Sequence, residues 1–165
     1  MNDYSFKEQL SELYSITGDT KKASAIIKDA IEAMNKDANK GQNNASIGHY
    51  ADRELAYSYL LIKEYDKALQ HALAEYDRRP ENIDVNETVA WVYYKKGDYE
   101  KALPYIRTAR KTNCKNPTLL CREGLIYSKT GNLKKAKEAL QEALKNNPAI
   151  DPQLKTESEN VLRSL

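Results

Sequence analysis

The sequence predicts an all-α fold built from repeated pairs of antiparallel helices, and three observations predict it. Like residues recur at a spacing of 34 over most of the chain. Within each repeat, apolar residues recur every three or four positions, which is the period of an amphipathic helix. Only six Gly and five Pro occur among 165 residues, and Gly-Asp and Gly-Asn dipeptides fall between the predicted helices.

The repeat is visible as columns of residues that lie 34 positions apart. A column of small residues contains Ala56, Ala90, Gly124 and Ser158. A second column contains Tyr59, Tyr93, Tyr127 and Val161, and a third contains Ala68, Ala102 and Ala136. Two antiparallel helices approach closely only where a side chain is small, so the first column predicts the contact point of each pair.

The predicted units are 4–36, 49–80, 83–114 and 117–148. Gly97 and Gly131 end first helices, and Asp98 and Asn132 are predicted to cap the helices that follow. Lys63 stands where the second unit should have this glycine. Gly18 precedes Lys63 by 45 residues, 11 more than one period, and we assign the excess to a solvated loop at 37–48.

The chain ends with a further predicted helix that is in register with the repeat. Asp151 and Pro152 form its N-cap and first turn. The apolar residues that follow share one face: Leu154, Val161, Leu162 and Leu165. We expect this segment, 151–165, to cap the apolar side of the last unit.

These columns resemble the tetratricopeptide repeat (TPR), and the resemblance is most specific over Tyr50–Pro148. Lys63 and Cys114 depart from its usual turn glycine and terminal proline. The segments Ala90–Trp91, Gly124–Ile126 and Asn147–Pro148 are similar to the end of long bacterial TPR proteins, which implies the C-terminal part of a longer protein. The resemblance implies a right-handed α-α superhelix, or solenoid.

Composition and motifs exclude several other classes of function. A net charge of +2 does not give the excess of positive charge that is typical of nucleic-acid-binding proteins. No apolar run is long enough for a membrane span. Two cysteines and two histidines show no metal-ligand spacing, and the sequence contains no catalytic motif and no phosphate-binding loop. We therefore expect no enzyme activity, cofactor or metal. Free cysteines favour the cytoplasm for the chain as given, whereas a fragment could derive from a periplasmic or secreted protein.

The resemblance implies a non-catalytic scaffold that binds a peptide or partner protein in a concave groove lined by first helices. The groove residues are those left on the first helices after packing columns are assigned: Tyr50, Arg53, Tyr57, Trp91, Tyr94, Lys95, Arg122, Leu125 and Lys129. Tyr57, Trp91 and Leu125 share one column. They either anchor a peptide or pack neighbouring first helices together, and the sequence leaves both open.

The alternative function is assembly through the N-terminal helix. Tyr4, Phe6, Leu10 and Leu13 give this helix more apolar surface than a capping helix needs. Phe6 and Leu10 could mediate self-association, upstream residues could cover them, or they could pack on the helix that starts near Thr20.

Overall fold

The computed structural model describes residues 4–41, 51–145 and 150–165, and these ranges contain nine α-helices and no strand. The helices are α1 (Tyr4–Ile16), α2 (Thr20–Gly41), α3 (Asp52–Leu61), α4 (Tyr65–Arg78), α5 (Ile83–Lys96), α6 (Tyr99–Ala109), α7 (Pro117–Lys129), α8 (Leu133–Leu144) and α9 (Pro152–Ser164). The all-α helical repeat fold is therefore confirmed. None of these helices has the length and apolarity needed to cross a membrane.

The helices form two compact units, Met1–Pro80 and Glu81–Leu165. In the first unit, α1 packs against α2, α3 packs against α4, and α2 contacts α3. In the second unit, α5 pairs with α6 and α7 with α8, and α6 contacts α7. Helix α9 packs on both α7 and α8, which is the position predicted for a capping helix.

The turn inside each helix pair has the same geometry in all four pairs. One residue adopts a left-handed backbone, and the next residue donates its N–H to a tyrosine carbonyl at 2.9 Å. The left-handed residues are Gly18, Lys63, Gly97 and Gly131, and the carbonyls belong to Tyr14, Tyr59, Tyr93 and Tyr127. Lys63 thus occupies the glycine position in conformation as well as in register, with φ 61°.

The small-residue column marks the close contact within each pair, as predicted. Ala56, Ala90 and Ser158 are completely buried. Gly124 shows how close the contact becomes, because a Cβ placed there would lie 2.5 Å from Leu140 Cγ and 3.1 Å from the Ala136 carbonyl oxygen. The column therefore sets the distance between α7 and α8 in the fourth pair.

The predicted loop at 37–48 begins too early, because α2 continues to Gly41. The Tyr4 hydroxyl donates a hydrogen bond to the Asp37 carboxylate, which ties this last part of α2 to α1. Extending an existing helix costs little once its first turns have formed. Residues 42–48 of the predicted loop lie outside the described residues.

The predicted side-chain caps at Asp98 and Asn132 are wrong. Both precede a helix, but neither side chain accepts a backbone N–H there. Their ψ angles are 59° and 57°, whereas a capping residue needs an extended backbone. The side chains that do accept a helix N–H belong to Asp19 before α2, Asn82 before α5, Asn116 before α7 and Asp151 before α9.

Replacing Gly124 with alanine should destabilise the second unit by about 1–3 kcal/mol, because the added methyl group overpacks the contact with α8. This cost should exceed the gain of about 1 kcal/mol in helix propensity. Urea unfolding followed by circular dichroism measures the change. A double-mutant cycle with Leu140→Ala provides the control, since removing the facing side chain should relieve the clash. Strictly additive costs would contradict the proposed contact.

Replacing Lys63 with glycine should stabilise the chain by about 0.5–1 kcal/mol. The left-handed conformation costs a non-glycine residue roughly 1–2 kcal/mol, and the greater freedom of unfolded glycine offsets part of the gain. Lys137→Gly is the matched control, because Lys137 is exposed in the interior of α8 and the variant should lose about 1 kcal/mol. Thermal unfolding of both variants should show shifts of opposite sign, and a loss of stability in Lys63→Gly would refute the expectation.

Candidate functional site

The predicted groove residues fall on the first helices of both units. In the second unit they lie on α5 (Trp91, Tyr94, Lys95) and α7 (Arg122, Leu125, Lys129). In the first unit Arg53 and Tyr57 lie on α3. Tyr50 lies outside the described residues. The two sets belong to separate units, so each forms a surface of its own.

In the second unit, Trp91 lies at the centre of an aromatic and cationic cluster. Its ring stacks on that of Tyr94, with centroids 5.0 Å apart and planes 6° apart. Lys95 Nζ lies 4.5 Å from the centroid of the Trp91 ring, and Arg122 Cζ lies 4.9 Å from it. Such cation–π contacts contribute about 0.5–2 kcal/mol each. We call these four residues the Trp91 cluster.

Both cations of the Trp91 cluster have carboxylate partners. Arg122 Nη1 donates to Glu87 Oε1 at 2.9 Å. Lys95 Nζ lies 3.4 Å from Glu157 Oε2, and the Tyr94 hydroxyl donates to Glu157 Oε1 at 2.7 Å. Glu157 belongs to α9, so the capping helix is linked to α5 through this one carboxylate. Burial raises the pKa of Tyr94 far above its usual value, and the hydrogen bond to Glu157 adds to the rise.

The contacts of Glu157 with Tyr94 and Lys95 of the Trp91 cluster were not predicted from the sequence. Its register equivalents one and two repeats earlier are Glu123 and Val89. Glu123 instead accepts a hydrogen bond from Arg110 Nε at 2.8 Å. The repeat register therefore does not predict that the carboxylate of Glu157 contacts Tyr94 and Lys95.

Burial divides the predicted site residues of the second unit into two groups. Leu125 is completely buried, and Trp91 and Tyr94 are 7% and 6% exposed. Lys95 and Lys129 are exposed, and Arg122 is half-buried. The buried residues fit the alternative in which Trp91 and Leu125 pack between helices. The exposed cations are the side chains that solvent, or another molecule, can reach.

Cys121 behaves as a structural residue in this surface. It is completely buried. Burial raises the pKa of its thiol, and the nearby Ser158 hydroxyl and Arg122 guanidinium only partly oppose the rise. A buried thiol with a raised pKa is a poor nucleophile. Within the described ranges, no three His, Cys, Asp or Glu side chains are grouped so that they could hold a metal ion.

In the first unit, the corresponding surface is more acidic. Arg53 Cζ lies 5.9 Å from the Tyr57 ring centroid, and Tyr57 is half-buried. Glu8 of α1 accepts a hydrogen bond from Ser58 Oγ at 2.9 Å. Burial raises the pKa of Glu8 above its usual range, and the nearby carboxylates of Glu54 and Glu12 raise it further, against the effect of the Ser58 hydrogen bond.

Replacing Glu8 with glutamine should stabilise the first unit at neutral pH. The folded-state pKa of Glu8 lies above the unfolded one, so its contribution to stability is present at low pH and is lost as the pH rises through the raised value. The amide oxygen of the introduced glutamine can still accept the Ser58 hydrogen bond. The advantage of Glu8→Gln over the wild type should therefore shrink as the pH falls toward the usual pKa of a glutamate.

Urea unfolding at a series of pH values measures this difference. Glu138→Gln serves as the control, because Glu138 is exposed on α8 and its replacement also removes one negative charge. An advantage of Glu8→Gln that does not change with pH would refute the role of the buried carboxylate.

Comparisons with known proteins agree with this geometry. Models of the tetratricopeptide repeat match residues 83–111 and 117–150. A TPR repeat-containing protein of Methanocaldococcus jannaschii is 27% identical over 127 residues, which cover 73% of this chain and 20% of that protein. The chain thus spans only about a fifth of that relative's length.

Two solved structures have the same helical repeat fold. A thermophilic TPR protein of Thermus thermophilus superposes with a TM-score of 0.64 at 19% identity, covering 98% of this chain and 82% of the other. A tetratricopeptide repeat protein of Parabacteroides merdae superposes with a TM-score of 0.57 at 22% identity, and the match covers 97% of this chain and 59% of the other. At these identities the likeness establishes the fold alone.

Proposed function

Because this chain is a tetratricopeptide-repeat protein, we propose that it is a non-catalytic scaffold whose first helices bind a peptide segment of a partner protein. The TPR fold is generally a protein–protein interaction scaffold. The proposal extends that general role to the Trp91 cluster and Lys129 in the second unit, and to Arg53 and Tyr57 in the first.

The observation that carries the proposal is the placement of two exposed lysines of the first helices over aromatic rings, Lys95 over Trp91 of α5 and Lys129 over Tyr99 at the start of α6. Lys95 lies over Trp91, and Lys129 Nζ lies 5.8 Å from the centroid of the Tyr99 ring. Aromatic rings provide a rigid apolar surface, and exposed ammonium groups can bind carboxylates or backbone carbonyls. A peptide lying here would contact chiefly the ammonium groups, because the Trp91 ring beneath Lys95 is only 7% exposed.

The ion pair between Lys95 and Glu157 can be replaced by a contact between Lys95 and a peptide. The Lys95–Glu157 contact is 3.4 Å long and both side chains are about a third exposed. Such a pair contributes only about 0–1 kcal/mol, so a peptide carboxylate or carbonyl can replace Glu157 at little cost. Arg122 is less available, since its pair with Glu87 is shorter and both side chains are largely buried.

The buried residues of the predicted site have a supporting role in this proposal. Trp91, Tyr94 and Leu125 hold the helix surface on which the cations stand, and they contribute little accessible area of their own. A near-neutral net charge supports a protein or peptide ligand over a nucleic acid.

The double variant Lys95→Gln/Lys129→Gln should lose about tenfold or more in affinity for peptides that the wild type selects from a phage-displayed random library. Two exposed charge contacts at about 1 kcal/mol each would account for that loss. Fluorescence anisotropy with the selected peptides measures the affinity.

The matched control is Lys101→Gln/Lys137→Gln, which removes two exposed lysines from the second helices α6 and α8. It should bind the selected peptides like the wild type. Equal affinity of all three proteins would refute a site on the first-helix face, and so would the absence of any selected peptide.

A further inference from the structure

The contacts of Glu157 indicate which chemical group the peptide site binds and how the chain regulates that site. We propose that the Glu157 carboxylate of α9 occupies the position of a peptide carboxylate in the free protein, so that an acidic peptide must displace it to bind. This inference rests on the proposed peptide-binding function, and it adds the chemical class of the ligand and a competitor within the chain. We call Tyr94 and Lys95 the donor pair.

The donor pair holds the Glu157 carboxylate through both of its oxygen atoms. The Tyr94 hydroxyl donates to Glu157 Oε1 at 2.7 Å, and Lys95 Nζ lies 3.4 Å from Glu157 Oε2. The two donors are consecutive residues of α5, so one helix presents both of them. A carboxylate supplies two acceptor oxygens and a negative charge, whereas a backbone carbonyl supplies one oxygen and no charge. The donor pair therefore favours a carboxylate ligand.

The Tyr94 hydroxyl requires an acceptor, because this residue is only 6% exposed. A buried hydroxyl that loses its hydrogen-bond partner destabilises the protein. Burial raises the pKa of Tyr94, and the hydrogen bond to Glu157 raises it further, so the hydroxyl keeps its proton and remains a donor at neutral pH. A ligand that displaces Glu157 must therefore bring an acceptor of its own.

Helix α9 is held in place by residues other than Glu157. It packs on α7 and α8, and its buried side chains are Leu154 and Ser158. The Glu157 side chain is 36% exposed, so it has room to adopt another rotamer. A rotation of this one side chain can therefore release the donor pair while α9 remains packed on the second unit.

A second exposed cation lies on the same surface as the donor pair. The ring centroids of Tyr94 and Tyr99 are 5.5 Å apart, and Lys129 Nζ lies 5.8 Å from the Tyr99 centroid. Lys129 of α7 is exposed. A peptide whose carboxylate reaches the donor pair can therefore place a further acidic group near Lys129. Two cations on one surface favour an acidic peptide over a neutral or basic one.

The tethering of Glu157 makes it an effective competitor, although its ion pair is weak. Because Glu157 belongs to the same chain, its carboxylate is present beside the donor pair at a high effective concentration. The pair with Lys95 is exposed, which keeps its contribution small. A peptide that offers a carboxylate can thus replace Glu157, whereas a peptide without one leaves Glu157 in place.

Glu157→Gln should raise the affinity for acidic peptides by about twofold to fivefold. The amide oxygen of the introduced glutamine can still accept the Tyr94 hydrogen bond, so the fold is kept, but the charge that competes for Lys95 is lost. Fluorescence anisotropy measures the affinity for the acidic peptides that the wild type selects from a phage-displayed random library. Circular dichroism of the variant checks that its helix content is unchanged.

Glu159→Gln is the matched control, because it removes the same charge from α9 at a half-buried position two residues away. It should bind the selected peptides like the wild type. In a Lys95→Gln background, Glu157→Gln should no longer raise the affinity, because Glu157 then has no cation for which to compete. A long-range effect of charge would instead persist in that background and would appear in Glu159→Gln as well.

Equal affinities of the wild type and Glu157→Gln would overturn the competition, and so would an equal gain in Glu157→Gln and Glu159→Gln. Selected peptides that lack an acidic residue would overturn the ligand class. These results leave peptide binding by the first helices intact. The absence of any selected peptide, or an unchanged affinity of Lys95→Gln/Lys129→Gln, would instead refute the proposed function and this inference with it.

Discussion

The structure depends on the close approach of the two helices within each pair, which requires a small side chain at one position of the first helix. Gly124 is the extreme case, because the Leu140 side chain and the Ala136 carbonyl fill the space that a Cβ would need. The left-handed turn then returns the chain with the same tyrosine carbonyl as acceptor in every pair. Together these two features fix which face of each first helix packs inward and which carries Lys95, Lys129 and Tyr57.

Much of this fold could be predicted from the sequence, because each structural position occurs in several repeats and its residues can be compared. The position that holds Ala56, Ala90 and Gly124 in successive repeats must be crowded, because only small residues occur there. Lys63 could be placed at a turn only because it is in register with Gly97. The side-chain caps could not be predicted in the same way. Asp98 and Asn132 have suitable side chains, but neither accepts a helix N–H, whereas Asp19, after the equivalent turn of the first pair, accepts the Lys22 N–H at 3.1 Å. Residue type and repeat register together therefore do not decide whether a side chain caps the following helix.

Some contacts of the candidate site follow from the repeat register, and others do not. Glu87 and Arg122 are 35 residues apart, one residue more than the period, so neighbouring first helices bring them together. Tyr94 and Glu157 are 63 residues apart, well short of two periods, and their hydrogen bond depends on how α9 lies on the second unit. The burial of Trp91 has a similar origin. Its helical face follows from spacing, but its exposure depends on Arg122, Lys95 and Tyr94 in three dimensions.

Helices α1 and α9 differ in the side chains that they expose. Both α1 and α9 are in register with the first helices of the repeat, yet α9 exposes Lys155, Asn160 and Arg163, whereas α1 exposes Phe6 and Leu13. Helix α9 places Glu157 beside Lys95, so a peptide that binds Lys95 would have to displace a carboxylate of the same chain. Helix α1 exposes Phe6 and Leu13 at positions whose equivalents in the other first helices are buried. The repeat register thus predicts which residues are equivalent, but the exposure of each one depends on the helices that lie beside it.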